Sequence, residues 1–183
     1  EVKFIKKKYN YYIFYASSID PNTKYYAGVE ENYLKENYPK KSQSFIKKEL
    51  KKIIEYKKNT TKNQDRAITV LHKLAIDNPK INVIFRKHPR EDLAVVKKKF
   101  KNFPSNFILD NNFSITPWII GCDIYMHSGC SSSIEASILK KKIITIMPFG
   151  KDIRDKFFRS YGNICNEEKN FISKIDKVQK HKA

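Results

Sequence analysis

The 183-residue chain carries 37 lysines and arginines against 19 acidic residues, a formal charge of +18 and a pI near 9.7. That length suits one well-buried core and is short for two full α/β domains. No apolar run approaches the roughly 20 residues needed to cross a bilayer, and no stretch shows the charged, apolar and small-residue regions of a secretory leader.

Cys122, Cys130 and Cys165 are an odd number without C-x-x-C spacing, which argues against a disulfide framework and a zinc site. A reducing, cytoplasmic setting is expected. Only five of the basic residues are arginine, the side chain nucleic-acid readers rely on for its planar fork. The lysine surplus therefore reads first as a solvated surface. Attraction to an anionic membrane face, which would place the protein peripherally at the inner side of a membrane, or to an anionic substrate, comes second.

In chain order, residues 1–10 read as a charged lead-in or linker. Tyr11 to Ala16 is a short apolar and aromatic run, as a buried strand requires, and Ser17 opens a turn cluster that runs to Asn22. Residues 23–58 read as a polar, partly helical excursion that stands apart from the main sheet. From Asn63, the spacing of Ala67, Val70, Leu71, Leu74 and Ala75 predicts an amphipathic helix ending before Pro79. Ile81 to Phe85 is a second buried-strand pattern, and a helix from Leu93 to Lys101 precedes a third strand at Phe107 to Leu109. Asn111 to Pro117 is loop, Trp118 to Ile120 a helical turn closed by Gly121, and Cys122 to Met126 a fourth strand. A helix with Ile134, Ala136, Ile138 and Leu139 as its apolar positions follows. Ile143 to Met147 is a fifth strand, Ile164-Cys165 a brief sixth, and Phe171 to Val178 a last helix. Regular strand–helix alternation predicts a Rossmann-like α/β fold, with a parallel sheet, crossover helices and ligand sites beyond the carboxyl ends of the strands.

Two polar turns at those ends carry the candidate chemistry. After strand two comes Arg86-Lys87-His88-Pro89-Arg90, where a histidine among cations can donate a hydrogen bond to a phosphate oxygen or protonate a leaving group. The bland alternative is an ordinary surface histidine. After strand four comes His127-Ser128-Gly129-Cys130-Ser131-Ser132-Ser133-Ile134-Glu135, a strand, tight turn and helix start that concentrates free N–H groups and hydroxyls in one place. Ser132-x-x-Glu135 also fits a capping box, which would commit Glu135 to folding. His127 faces the crevice or fills space beneath the loop as a satisfied histidine. Asp110 orients a ligand or caps the next turn. Trp118 reads as a packed aromatic ahead of a base-stacking platform. The chain lacks G-x-G-x-x-G, G-x-x-x-x-G-K-[ST], D-x-D and G-x-S-x-G, so nicotinamide or flavin binding, ordinary nucleotide hydrolysis and an elbow serine are not expected.

The ordered set Arg86-x-His88-Pro89-x-Glu91, Pro117-Trp118-Ile119-Ile120-Gly121-Cys122-Asp123 and His127 to Ala136 resembles bacterial surface-carbohydrate biosynthesis proteins. These look like the carboxyl-terminal, donor-binding half of GT-B glycosyltransferases, including polysialyl-, Kdo- and CDP-glycerol-transferase-like enzymes. The resemblance covers about residues 11–148; Lys87 stands where such motifs often have proline, and the acceptor-binding half has no counterpart here. It implies a nucleotide-sugar-binding domain over residues 11–183 and a metal-independent transfer. The donor would be CMP-, CDP- or UDP-linked, the acceptor a glycan or a lipid-linked chain. His88 would contact the donor phosphate, and Arg86, His127, Ser128, Gly129 and Ser131 to Ser133 would bind the phosphate and nucleoside. Glu135 would hold a sugar hydroxyl, with Ser17, Arg90, Asp110 and Trp118 as additional candidates. Cofactors are not expected, and neither is a specific nucleic-acid partner. A sugar-nucleotide epimerase on the same scaffold, a basic nucleic-acid-binding module and an inactive fragment are the competing readings.

Overall fold

The computed structural model describes residues 1–18, 29–100, 102–150 and 153–165. Six strands, β1 (Tyr12–Ala16), β2 (Asn82–Arg86), β3 (Phe107–Leu109), β4 (Ile124–His127), β5 (Lys142–Thr145) and β6 (Asn163–Ile164), form one all-parallel sheet in the order β3-β2-β1-β4-β5-β6. Around it lie α1 (Val2–Lys8), α2 (Val29–Asn37), α3 (Gln43–Asp77), α4 (Leu93–Lys99), α5 (Ile115–Gly121), α6 (Ser132–Ile138) and α7 (Ile153–Arg159). The fold is Rossmann-like α/β, as the alternation predicts. β1 is paired on both sides, with β2 and with β4, and every residue in it is buried.

Side chains alternate across a strand, so β1 feeds two cores. Ile13 and Tyr15 join Val83, Phe85, Ile124 and Met126 beneath Ala67, Val70, Leu71, Leu74 and Ala75 of α3. Tyr12, Phe14 and Ala16 face the other way, against Ile5 of α1, Trp118 and Ile119 of α5 and Ala136 of α6. The crossovers thus change face between the β2–β3 half and the β4–β5 half. The chain leaves β1 toward β2 and returns to its other edge at β4, which makes the gap between their carboxyl ends the topological switch point.

Four departures from the sequence reading have physical causes. Residues 2–8, read as a lead-in, form α1 because Ile5 and Tyr9 reach the core among the lysines. The excursion and the next helix are largely one element, the 35-residue α3. In its polar middle Thr60 and Thr61 satisfy their hydroxyls on the carbonyls four residues back, and Asn63 and Gln64 find partners outside the helix. α5 begins at Ile115, inside the expected loop. α7 is absent from the sequence reading; Arg159 at its end donates to the carbonyls of Met147, Phe149 and Gly150 and so ties down the loop after β5. Residues 19–28 and the expected helix at Phe171 to Val178 lie outside the described residues. Among the described residues no helix is long and apolar enough to cross a membrane.

Candidate functional site

At the carboxyl ends of β1 and β4 the chain encloses a cavity of about 280 Å³, lined by Ser17, Arg86, Lys87, His88, Ser131, Ser132 and Glu135 among others. β1 ends at Ala16, whose neighbour Ser17 holds the Arg86 carbonyl through its N–H at 2.9 Å. β2 delivers the His88 turn to the same edge, and β4 delivers the serine turn. Both polar turns therefore meet across the switch point, where an open parallel sheet binds its ligands.

His88 is half-buried, and its Nδ1 accepts the Arg90 N–H at 3.2 Å. In the neutral ring the proton then sits on Nε2, which leaves that nitrogen as the ring's donor. Burial first, then the charges of Arg90 and Lys87, hold its pKa below the usual histidine value. Neutral His88 is thus a hydrogen-bond donor at neutral pH more than a store of an extra proton. Arg86 lines the cavity, but two of its N–H groups are committed to the carbonyls of Asn112 (3.2 Å) and Phe113 (2.8 Å). Those bonds hold Phe113 at a φ of +64°, a left-handed conformation a bulky residue seldom adopts. The Lys87 ammonium caps the carbonyls of His88 and Pro89. Both cations still place their charge on the wall. Arg90 is exposed and lies off the lining.

The serine turn divides its labour. Ser131 is exposed on the wall at the start of α6, and its side chain makes no cap bond. Ser132 shares a hydrogen bond with the Tyr125 hydroxyl at 2.7 Å and another with the Cys130 thiol at 2.9 Å. The N–H groups of Ser133 and Ile134 turn back onto the carbonyls of Cys130 and Ser131, so the helix start offers fewer open amides than the sequence suggests. The Ser133 side chain is wholly buried, without a partner for its hydroxyl.

The capping box does not form. Glu135 is exposed on the cavity wall, where it accepts from the Thr116 hydroxyl of α5 at 3.1 Å, and it shares that cavity with Arg86 and Lys87 of the β2 turn. Folding therefore leaves this carboxylate available.

Several candidates turn out to be structural. His127 is fully buried: its Nδ1 accepts the Gly129 N–H at 3.2 Å, and its Nε2 meets Thr145 Oγ1 at 3.0 Å and the Tyr161 carbonyl at 3.3 Å. Thr145 donates its own proton to that carbonyl, so His127 Nε2–H is the donor of the set. Burial pushes the His127 pKa down to about 4. The satisfied-histidine reading holds, because the ring lies under the loop. Ser128 is buried against the Tyr15 hydroxyl at 2.6 Å. Gly129 adopts a φ of +103°, which reserves the turn for glycine. Asp110 accepts from the Asn112 N–H at 2.9 Å and the Tyr9 hydroxyl at 3.1 Å, pinning α1 to the β3 loop as a turn cap. Trp118 is a core side chain stacked on Phe14, with its Nε1–H on the Asn112 carbonyl.

Gln64 escapes the sequence reading, and Glu91 enters it only as a member of the Arg86-x-His88-Pro89-x-Glu91 motif, without a role. Gln64 donates to Ser17 Oγ at 2.7 Å, and both reach Glu91. A signal for Gln64 exists in hindsight: it is a polar residue on the apolar face shared by Ala67 and Leu71. Among the described residues no group of three or more His, Cys, Asp or Glu is placed to hold a metal ion. The three cysteines are free thiols.

No protein-family model matches the chain, and no curated protein matches it either. Fold and cavity define its class alone: a Rossmann-like α/β protein with a polar cavity at the switch point of its sheet.

Proposed function

We propose that the chain is the donor-nucleotide-binding part of a metal-independent glycosyltransferase or glycerophosphotransferase of surface polysaccharide assembly. The observation that carries this reading is the meeting of His88, Ser131, Ser132 and Glu135 on one cavity at the switch point. The sequence likeness names these four among a larger set that also holds Ser133, which lies off the cavity. A donor phosphate would lie against His88 Nε2–H and the serine hydroxyls, within the field of Arg86 and Lys87. These groups would stabilise the phosphate as its charge grows on departure. Glu135 would accept a hydrogen bond from a ribose or sugar hydroxyl.

About 280 Å³ lies at the lower bound of ligand pockets, which run from roughly 300 to 1,000 Å³. The cavity thus suits the nucleoside phosphate end of a donor, and an acceptor-binding half would cover the transferred group. A glycan or lipid-linked acceptor at the cytoplasmic face of an anionic membrane fits the surplus of lysine.

Calorimetric titration with CMP, CDP, UMP and UDP tests the reading. Weak saturable binding is expected, with cytidine nucleotides favoured slightly. A folded sample that takes up none of the four at millimolar ligand sinks it.

A further inference from the structure

Behind the cavity wall lies a carboxylate to which the proposed transfer assigns no part. Glu91 is buried, and among the described residues no Lys, Arg or His forms an ion pair with it. A buried charge without a counter-ion is costly unless donors satisfy it. Gln64 Nε2 reaches Oε1 at 2.9 Å and the His88 N–H reaches Oε2 at 2.6 Å, while the single Ser17 hydroxyl proton is shared between Oε1 at 3.2 Å and the Ser18 carbonyl at 2.9 Å. The Glu91 N–H in turn donates to the His88 carbonyl at 3.0 Å. Both backbone polar groups of His88 are therefore held by one residue, and Pro89 between them restricts φ. With the ring tied at Nδ1 by the Arg90 N–H, only Nε2–H remains for the cavity.

We propose that Glu91 is the positioning residue for His88. It anchors the turn to α3 through Gln64 and to the end of β1 through Ser17, so that the imidazole presents Nε2–H, and not Nδ1–H, to the ligand. A carboxylate is required because every partner is a donor. An amide of the same shape would turn an NH₂ toward either the His88 N–H or the pair from Ser17 and Gln64. The functional sense of this role rests on the donor-site reading; the geometry of the ring does not.

The test has two parts. In ¹⁵N-labelled protein, the His88 ring is expected to show one tautomer protonated at Nε2. Glu91→Gln is expected to give a mixture while amide signals away from the turn stay in place. An unchanged ring tautomer in E91Q overturns the proposal. Should E91Q not fold, Gln64→Met takes its place, since it removes one donor to the carboxylate; an unchanged ring there overturns the proposal equally. In parallel, CDP affinity is measured in E91Q, H88A and the double variant. E91Q is expected to weaken CDP about tenfold, the scale of one lost hydrogen bond to a charged partner, and to have no further effect beside H88A. Losses that multiply in the double variant overturn positioning through His88. Should the wild-type chain bind no CDP, the donor-site reading fails, and the tautomer measurement alone decides the role of Glu91.

Discussion

His88 follows β2 and His127 ends β4, the two strands that flank β1, yet burial gives them different work. His127 is sealed under the Gly129 turn and stays neutral, its pKa pushed to about 4 against an ordinary value of 6.5. The unfolded chain binds this proton between those pH values and the folded chain does not. Stability from this site is therefore complete above pH 6.5 and is lost as pH falls toward 4. At ~1.4 kcal/mol per unit, the loss amounts to roughly 3 kcal/mol. Urea unfolding at a series of pH values should show that slope, and His127→Gln should flatten it while lowering stability at pH 7. An unchanged slope in H127Q would place the titration elsewhere. Glu135 makes the opposite case. Among the described residues its one hydrogen bond is to Thr116, on the surface, so Glu135→Ala should shift the unfolding free energy by no more than ~0.5 kcal/mol, as exposed substitutions do. Nucleotide affinity, by contrast, should fall. A cost near 1 kcal/mol with affinity intact would restore the capping role that the geometry denies it.

Elements differ in how plainly the sequence announces them. Five of the six strands stand out as short apolar runs because a strand buried on both faces has no polar alternation to confuse it. α3 is the harder case, since its register is apolar only from Ala67 onward. Rising 1.5 Å per residue, the 20 residues before Asn63 extend the helix by about 30 Å. That stretch packs against α2, and Ile46 and Leu34 are buried outside the two cores of the sheet. Six of its seven lysines are exposed, and the seventh, Lys57, is half-buried in an ion pair with Glu30 of α2. Patterning from one face could not reveal a helix with two different partners. The site was legible to the same extent. Types of residue at the sheet edge could be read off, but whether His127 points up or down depends on Thr145 and the Tyr161 carbonyl, which only the folded chain brings to it. Two substitutions separate the halves of α3. Leu71→Ala, at a fully buried position, should cost 2–5 kcal/mol by lost burial and a cavity. Ile54→Ala, at a position 58% exposed, should stay within about 0.5 kcal/mol by urea unfolding.

At the scale of the whole molecule, the +18 charge and the cavity make competing claims on any anion. A diffuse lysine surface attracts polyanions without regard to structure, and the attraction fades with salt. A built cavity selects by shape and hydrogen bonds, and its ligand stabilises the fold by mass action. A nucleotide at 100 times its Kd adds ~2.7 kcal/mol. For a chain of this size each kcal/mol moves Tm by roughly 2–4 °C, so a shift of about 5–10 °C is expected at saturation. That shift should persist at ~200 mM salt, where contacts made through scattered phosphates are much weakened. H88A should reduce it, because His88 lines the cavity. Lys51→Glu should leave it in place, because Lys51 is exposed on α3 and off the cavity wall. A thermal shift given equally by inorganic sulfate, abolished by salt and lost in K51E, would assign anion binding to the lysine surface and remove the cavity from consideration.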